Sequence, residues 1–242
     1  MPDIGRRGIP TFVRPSDGSD SRYSAGKKEM DLSLLVRNQS QNPPELALMG
    51  VCLGRVANLV GPGGTAGNAI ETYSLLNQQE FYIESQYFTG ERKPCAFWRT
   101  LMGDIASRNG KWGRLDEEDI AAMSSTFDEL WEEFNNDVVV DLSSETSWIQ
   151  FNKGLATPAS YVFGLTDRLH MVMVPPTTQE EDSICCFYGS QTPHVIRACS
   201  KPNKTPQKFK LIGPVYVHGF MDGEAIHAVN DGSCQEKAFI LV

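Results

Sequence analysis

The chain has 242 residues, with 22 basic and 30 acidic side chains and a formal charge of −8. Its 40% hydrophobic and 10% aromatic content is that of a folded chain able to bury one large core or two small ones, not of a disordered one. No run approaches the roughly 18 apolar residues of a membrane span.

Residues 1–30 are rich in Gly, Ser, Pro and basic side chains and read as a flexible arm or linker, ending near Tyr23 to Lys28. Residues 31–242 are expected to form one α+β domain. In it the apolar positions of 46–61 are too irregular for a helix and predict two short strands separated by a bend or bulge. The following GPGGTAG (61–67) could open a helix with Thr65 as N-cap. It lacks the GK[ST] of a phosphate loop, Pro62 removes a donor, and no ribose-binding acid follows. No cofactor is therefore expected.

A helical region is predicted over about 65–136. Ile70, Tyr73 and Leu76 share one side of its first helix. Pro94 suits the first position of the next, with Phe97, Trp98, Leu101 and Ile105 at helical spacing. Ile120, Met123, Phe127, Leu130, Trp131 and Phe134 step by three and four along the third, with Asp116 as N-cap and a possible break at Ser124–Ser125. From about 137 to 242 the pattern is β: DVVVD, YVFGLT, HMVMV, SICCFYG, HVIRAC, KFKLIG, VYVHGF and AFILV, at roughly ten-residue spacing with turn signals between them. The fold class expected is α+β: a small antiparallel β-barrel or sandwich, completed by the N-terminal strand pair and packed with the helical middle region. Trp98, Trp131 and Trp148 read as core anchors.

Six cysteines (Cys52, Cys95, Cys185, Cys186, Cys199, Cys234) form no CxxC pair, which points to a reducing, cytoplasmic setting and mostly buried free thiols. Residues 116–137 hold nine acids and no base, whereas 183–221 hold five bases (Arg197, Lys201, Lys204, Lys208, Lys210) and no acid. Two solvated faces are the simple reading; docking on a charged partner, or on a second copy, is the functional one. The basic loop is too short, in an acidic chain, to suggest nucleic acid.

The chemistry-bearing candidates lie in the β region. In a strand, Cys185 and Cys186 point to opposite faces, and either thiol could serve as a nucleophile with His218 and Asp222 in a hydrolase. His218, Asp222 and Glu224 could also perform acid–base chemistry or bind a metal. The alternation of VYVHGF and the turn-like Met221 to Glu224 favour a structural lock instead, and no metal site is expected.

The stretches EDSICCFYGSQTPHVIRAC and FKLIGPVYVHGFMDGEA resemble the C-terminal region of fungal heterokaryon-incompatibility (HET) domain proteins. The matching positions are Asp182 before the strand 184–187, Pro193 to Arg197, and Tyr216, His218, Gly219, Met221, Asp222, Gly223 and Glu224 in the closing motif. Upstream, Trp98 and Arg99 in AFWRTLMGDI are similar to the family's FWRTL-type helix, and LALMGVCLGRV and Tyr23-Ser24-Ala25 are similar to further segments. The HET domain itself has no counterpart in the chain, which starts about where that domain would end. The family's GYIGLGP-type segment is replaced by RLHMVMVPP (168–176). The resemblance implies a non-enzymatic interaction or regulatory module linked to nonself recognition and regulated cell death. Its expected partner is a HET-domain protein supplied in trans or a second copy of the chain, with neither membrane nor nucleic acid involved. An inactive truncated paralogue is the alternative it leaves.

Overall fold

The computed structural model describes residues 23–26, 37–38, 45–62, 66–78, 86–108, 111–136, 155, 160–199 and 207–242. Thr65, the DVVVD run, Trp148, Lys201 and Lys204 lie outside the described residues. The chain divides into a helical unit, Val60–Tyr161, and a β unit made of Tyr23–Leu59 with Val162–Val242. The α+β class read from the sequence holds.

The helical unit contains α1 (Ala66–Gln78), α2 (Lys93–Met102) and α3 (Glu117–Asn136), with a hairpin of β3 (Ile105–Arg108) and β4 (Lys111–Arg114) between the last two. Its core is aromatic: the Tyr73 ring lies 5.2 Å from Phe97, 5.3 Å from Phe127 and 4.7 Å from Trp131, distances at which edge-to-face pairs attract beyond simple burial. Pro94 occupies the first turn of α2 as expected, and Gly103 ends the helix in the left-handed conformation at φ 64°. Ile105 is therefore a strand residue, not the last turn of that helix. Its spacing looked helical because the chain reverses at Gly103–Asp104 without changing which side faces the core.

In α3, Asp116 is the N-cap: its Oδ1 accepts the Asp119 backbone N–H at 2.9 Å, and the Asp119 carboxylate accepts the Asp116 N–H at 3.4 Å. The expected break at Ser124–Ser125 does not occur. The Ser125 and Thr126 hydroxyls donate to the carbonyls of Ala121 and Ala122, one turn back, which lets small hydroxyl residues continue a helix. Asp116→Ala is expected to destabilise the helical unit by about 1 kcal/mol, with Asp116→Asn nearly neutral; the shift in denaturation midpoint checks this.

The β unit is built on β2 (Glu45–Pro62), one 18-residue strand where the sequence suggested two. The expected bulge is present as a register shift between Cys52 and Gly54 against β7. This strand works on both of its edges. Leu46 to Val51 pair with β11 (Glu236–Leu241), and Gly50 to Arg55 pair with β7 (Ser183–Phe187). From β11 the sheet runs through β9 (Lys208–Pro214) and β8 (His194–Ala198) to β7, so the β2–β7 pairing closes a ring of strands, β2-β11-β9-β8-β7. The ladders are antiparallel except β11 with β9. The same nine-stranded sheet continues from β2 through β5 (Val162–Thr166), β6 (Met171–Val174) and the short β10 (Tyr216–Val217), with β1 (Arg37–Asn38) beside β2. A short helix, α4 (Glu224–Asn230), follows β10, beginning where the turn expected over Met221 to Glu224 ends.

Period-2 alternation sorts the ring residues into two cores. Leu46, Leu48, Cys52, Cys185, Phe187, Ile196, Phe209, Phe239 and Leu241 share one. Val51, Leu53, Ile184, Cys186 and Val195 face the other, against β6, β10 and α4. Burial on both faces explains why β7 reads as the continuous apolar run SICCF rather than as alternating. Tyr23 and Ala25 are buried in this unit as well. Among the described residues no helix is long and apolar enough to cross a membrane.

Candidate functional site

The stretch 216–225 leaves β10, turns at Gly219 (φ 81°) and Gly223 (φ 102°), and enters α4. Positive φ costs glycine little and other residues more, so both glycines are needed for the path. The chain is then pinned repeatedly. The His218 backbone N–H donates to the Met171 carbonyl at 3.1 Å, and that of Phe220 to the Val217 carbonyl at 3.0 Å. The Val217 N–H reaches the Met221 sulfur at 3.4 Å. The Ser24 N–H donates to the Met221 carbonyl at 2.9 Å, and the Tyr23 ring meets Tyr216 edge-on at 6.0 Å.

Tyr216, His218 and Met221 are all buried. The His218 imidazole Nδ1 lies 2.9 Å from the Tyr216 hydroxyl. The Glu224 carboxylate accepts the Asp222 backbone N–H at 2.7 Å, holding the turn at the point where α4 begins. The candidate acid–base trio is thus brought into one short segment, in which the Glu224 carboxylate holds the backbone and the imidazole bonds Tyr216.

A second family-motif pair holds the loop before β7. Arg197 on β8 donates from Nε to Asp182 Oδ1 at 2.8 Å and from Nη2 to Asp182 Oδ2 at 2.7 Å. The same Nη2 reaches the Thr177 carbonyl at 2.8 Å, while Asp182 also accepts the Gln179 N–H at 2.8 Å. This two-pronged geometry is the strong form of carboxylate recognition. Pro193 accepts the Val215 N–H at 3.0 Å, tying the start of β8 to the end of β9.

In the helical unit Trp98 is fully buried. Arg99 bridges Glu91 (2.7 Å) and Asp104 (2.7 Å), and Arg114 shares the same buried Asp104 at 2.8 Å. These motif residues too hold loops in place.

Cys185 and Cys186 point to opposite faces, as expected, and both are fully buried. Burial pushes the Cys186 thiol up to about 12 and the Cys185 thiol well above its usual range. A neutral-pH nucleophile needs the opposite shift. The thiol that does shift downward is Cys52, to about 6. The hydrogen bond from Cys185 is the main cause, assisted by the Gly54 backbone and the charges of Lys237 and Arg168.

Cys52 lines a cleft of about 550 Å³ with Arg55, Arg168, Asp167, Glu181, Phe209 and Lys237 among its walls. The sequence does not single out Cys52 among the six thiols. No local signal marks it, because the cations approach from β11 and from the turn after β5. All six cysteines are free: two buried, three half-buried, and Cys199 exposed. Among the described residues no group of three or more His, Cys, Asp or Glu side chains could hold a metal.

A family model described as the Het-6 beta-barrel domain matches residues 141–232. This domain is a C-terminal region of HET-domain-associated fungal proteins, the region that the sequence motifs resemble. The matched stretch takes in β5 to β10, α4, the Asp182–Arg197 pair and the signature turn. No curated protein and no solved structure matches the chain.

Proposed function

We propose that this heterokaryon-incompatibility-related chain is a non-enzymatic interaction module that works in nonself recognition and regulated cell death by docking a protein partner. The observation that carries this reading is the signature turn within the matched region. Its imidazole is bonded to the Tyr216 hydroxyl, and its Glu224 carboxylate holds the Asp222 backbone N–H. Cys185 and Cys186 are buried, with burial pushing both thiols up. In α3, Glu117, Glu118, Glu129 and Glu132 are exposed, on a helix whose last turn has no basic residue. Separately, β9 exposes Lys210. Charged surfaces of this kind favour association with a partner of opposite sign and make it sensitive to salt. The partner is a HET-domain protein or a second copy of the chain.

Capture of a HET-domain protein by the purified chain, with sedimentation of the chain alone, tests the reading. Binding should weaken steeply between about 0.05 and about 0.5 M salt. Glu129→Lys with Glu132→Lys should weaken it by about tenfold, equivalent to about 1.4 kcal/mol. Absence of capture and of self-association at low salt would refute the reading, as would association indifferent to both salt and charge reversal.

A further inference from the structure

Cys52 and Cys185 are paired directly across the β2–β7 ladder that closes the ring. Directly opposed residues of an antiparallel pair have Cα atoms about 4.5 or about 5.5 Å apart, and both values lie within the span of about 4.4–6.8 Å that a disulfide bridges. The two side chains share one face of the sheet, and the Cys52 thiol donates to the Gly54 carbonyl at 3.7 Å. Their access differs. Cys52 is half-buried and opens on the cleft, whereas Cys185 is sealed behind it.

The charges around Cys52 are also unequal. Asp167 and Glu181 line the cleft, but Asp167 accepts the Arg55 backbone N–H at 2.8 Å and Glu181 pairs with the Arg55 guanidinium at 2.8 Å. Arg168 and Lys237 line both this cleft and the depression beside it. Neither forms an ion pair with a described residue, although Lys237 lies over the Phe239 ring at 5.0 Å. The result is a reachable thiol beside two cations, with a second thiol behind it, in a cleft large enough for a small ligand.

We propose that Cys52 is a thiol-exchange site for an anionic low-molecular-weight disulfide, with Cys185 as its resolving thiol. The Cys52 thiolate attacks one sulfur of the incoming RS–SR. A Cys52–SR bond forms, the RS–SR bond breaks, and RS⁻ leaves past Arg168 and Lys237 to take up a proton. Cys185 then gives up its proton and attacks the Cys52 sulfur. The Cys52–Cys185 bond forms and the second RS⁻ leaves as RSH. Two protein thiols are oxidised by two electrons, and one disulfide is reduced to two thiols. Burial slows ionisation of Cys185, but its fixed place across the ladder replaces an encounter in solution. The product staples the seam that closes the ring.

The probe is oxidised glutathione, added to the reduced full chain at pH 6 and followed by intact mass and peptide mapping. With its thiol shifted downward, Cys52 is expected to react several-fold faster than a cysteine in an unstructured peptide. The wild type should end with the Cys52–Cys185 disulfide, two hydrogens lighter and without retained adduct. Cys185→Ala should stop at one glutathionyl group on Cys52. Cys52→Ala should leave Cys185 unmodified, which keeps the test open if Cys185→Ala fails to fold. Arg168→Gln with Lys237→Gln should slow glutathione disulfide more than the neutral 2-hydroxyethyl disulfide, because the cations both lower the Cys52 thiol and attract the anion. Modification at Cys199 ahead of Cys52, a stable adduct on wild-type Cys52, or equal slowing with both disulfides would overturn the proposal.

Discussion

Gly50→Ala is expected to destabilise the β unit by about 3 kcal/mol or more, through overlap with fixed backbone. Gly50 lies in the first half of β2, opposite Phe187 of β7 on one side and Lys237 of β11 on the other. A Cβ placed there would lie 2.4 Å from the Cys186 carbonyl oxygen and 3.0 Å from the Phe187 Cα. Neither atom belongs to a side chain that can rotate away. Relief requires β2 and β7 to part, and that pairing closes the ring. Denaturant unfolding should show a lower midpoint for the β unit or no folded β signal. A midpoint within about 0.5 kcal/mol of wild type, the usual range for a surface change, would mean that the two strands do not approach as described.

Asp182→Ala is expected to cost about 2 kcal/mol, in the range for losing hydrogen bonds to a charged group, because the Arg197 side chain left behind is 30% exposed and can be solvated. The carboxylate is 3% exposed and accepts from the Arg197 guanidinium and the Gln179 N–H. Truncation leaves the guanidinium with the Thr177 carbonyl and frees the loop that delivers the chain into β7. Arg197→Lys keeps the charge but loses the two-pronged fit, and should fall between Asp182→Ala and wild type. Equal stability of Asp182→Ala and wild type would reduce the pair to a surface contact.

Much of this architecture was legible because local chemistry agrees with it. The apolar stripe of α3, its Asp116 cap, Pro94 in the first turn of α2 and the short β runs from Val162 onward all appear where the residues point. The misreadings have local causes too. Ser125 and Thr126 bond back to their own helix, so residues that often end helices continue this one. The bulge between Cys52 and Gly54 breaks the alternation of β2 without ending it. Ile105 kept helical spacing past a left-handed reversal at Gly103 and Asp104. Not legible were the features that depend on distant pairing. The ring closes where Gly50 meets Phe187, and the cleft gathers Cys52, Arg168 and Lys237 from separate strands and turns. Periodicity within one segment carries no information about either.

On the proposed docking reading, segment 216–225 serves the fold and association uses other surfaces. The most direct test is the fraction of HET-domain partner captured per folded molecule of the His218→Gln variant, with folded protein quantified by thermal unfolding. A lower unfolding temperature with unchanged capture is expected, whereas Glu129→Lys with Glu132→Lys should fold normally and capture less. Wild-type stability with capture abolished would contradict it and make His218 part of the site.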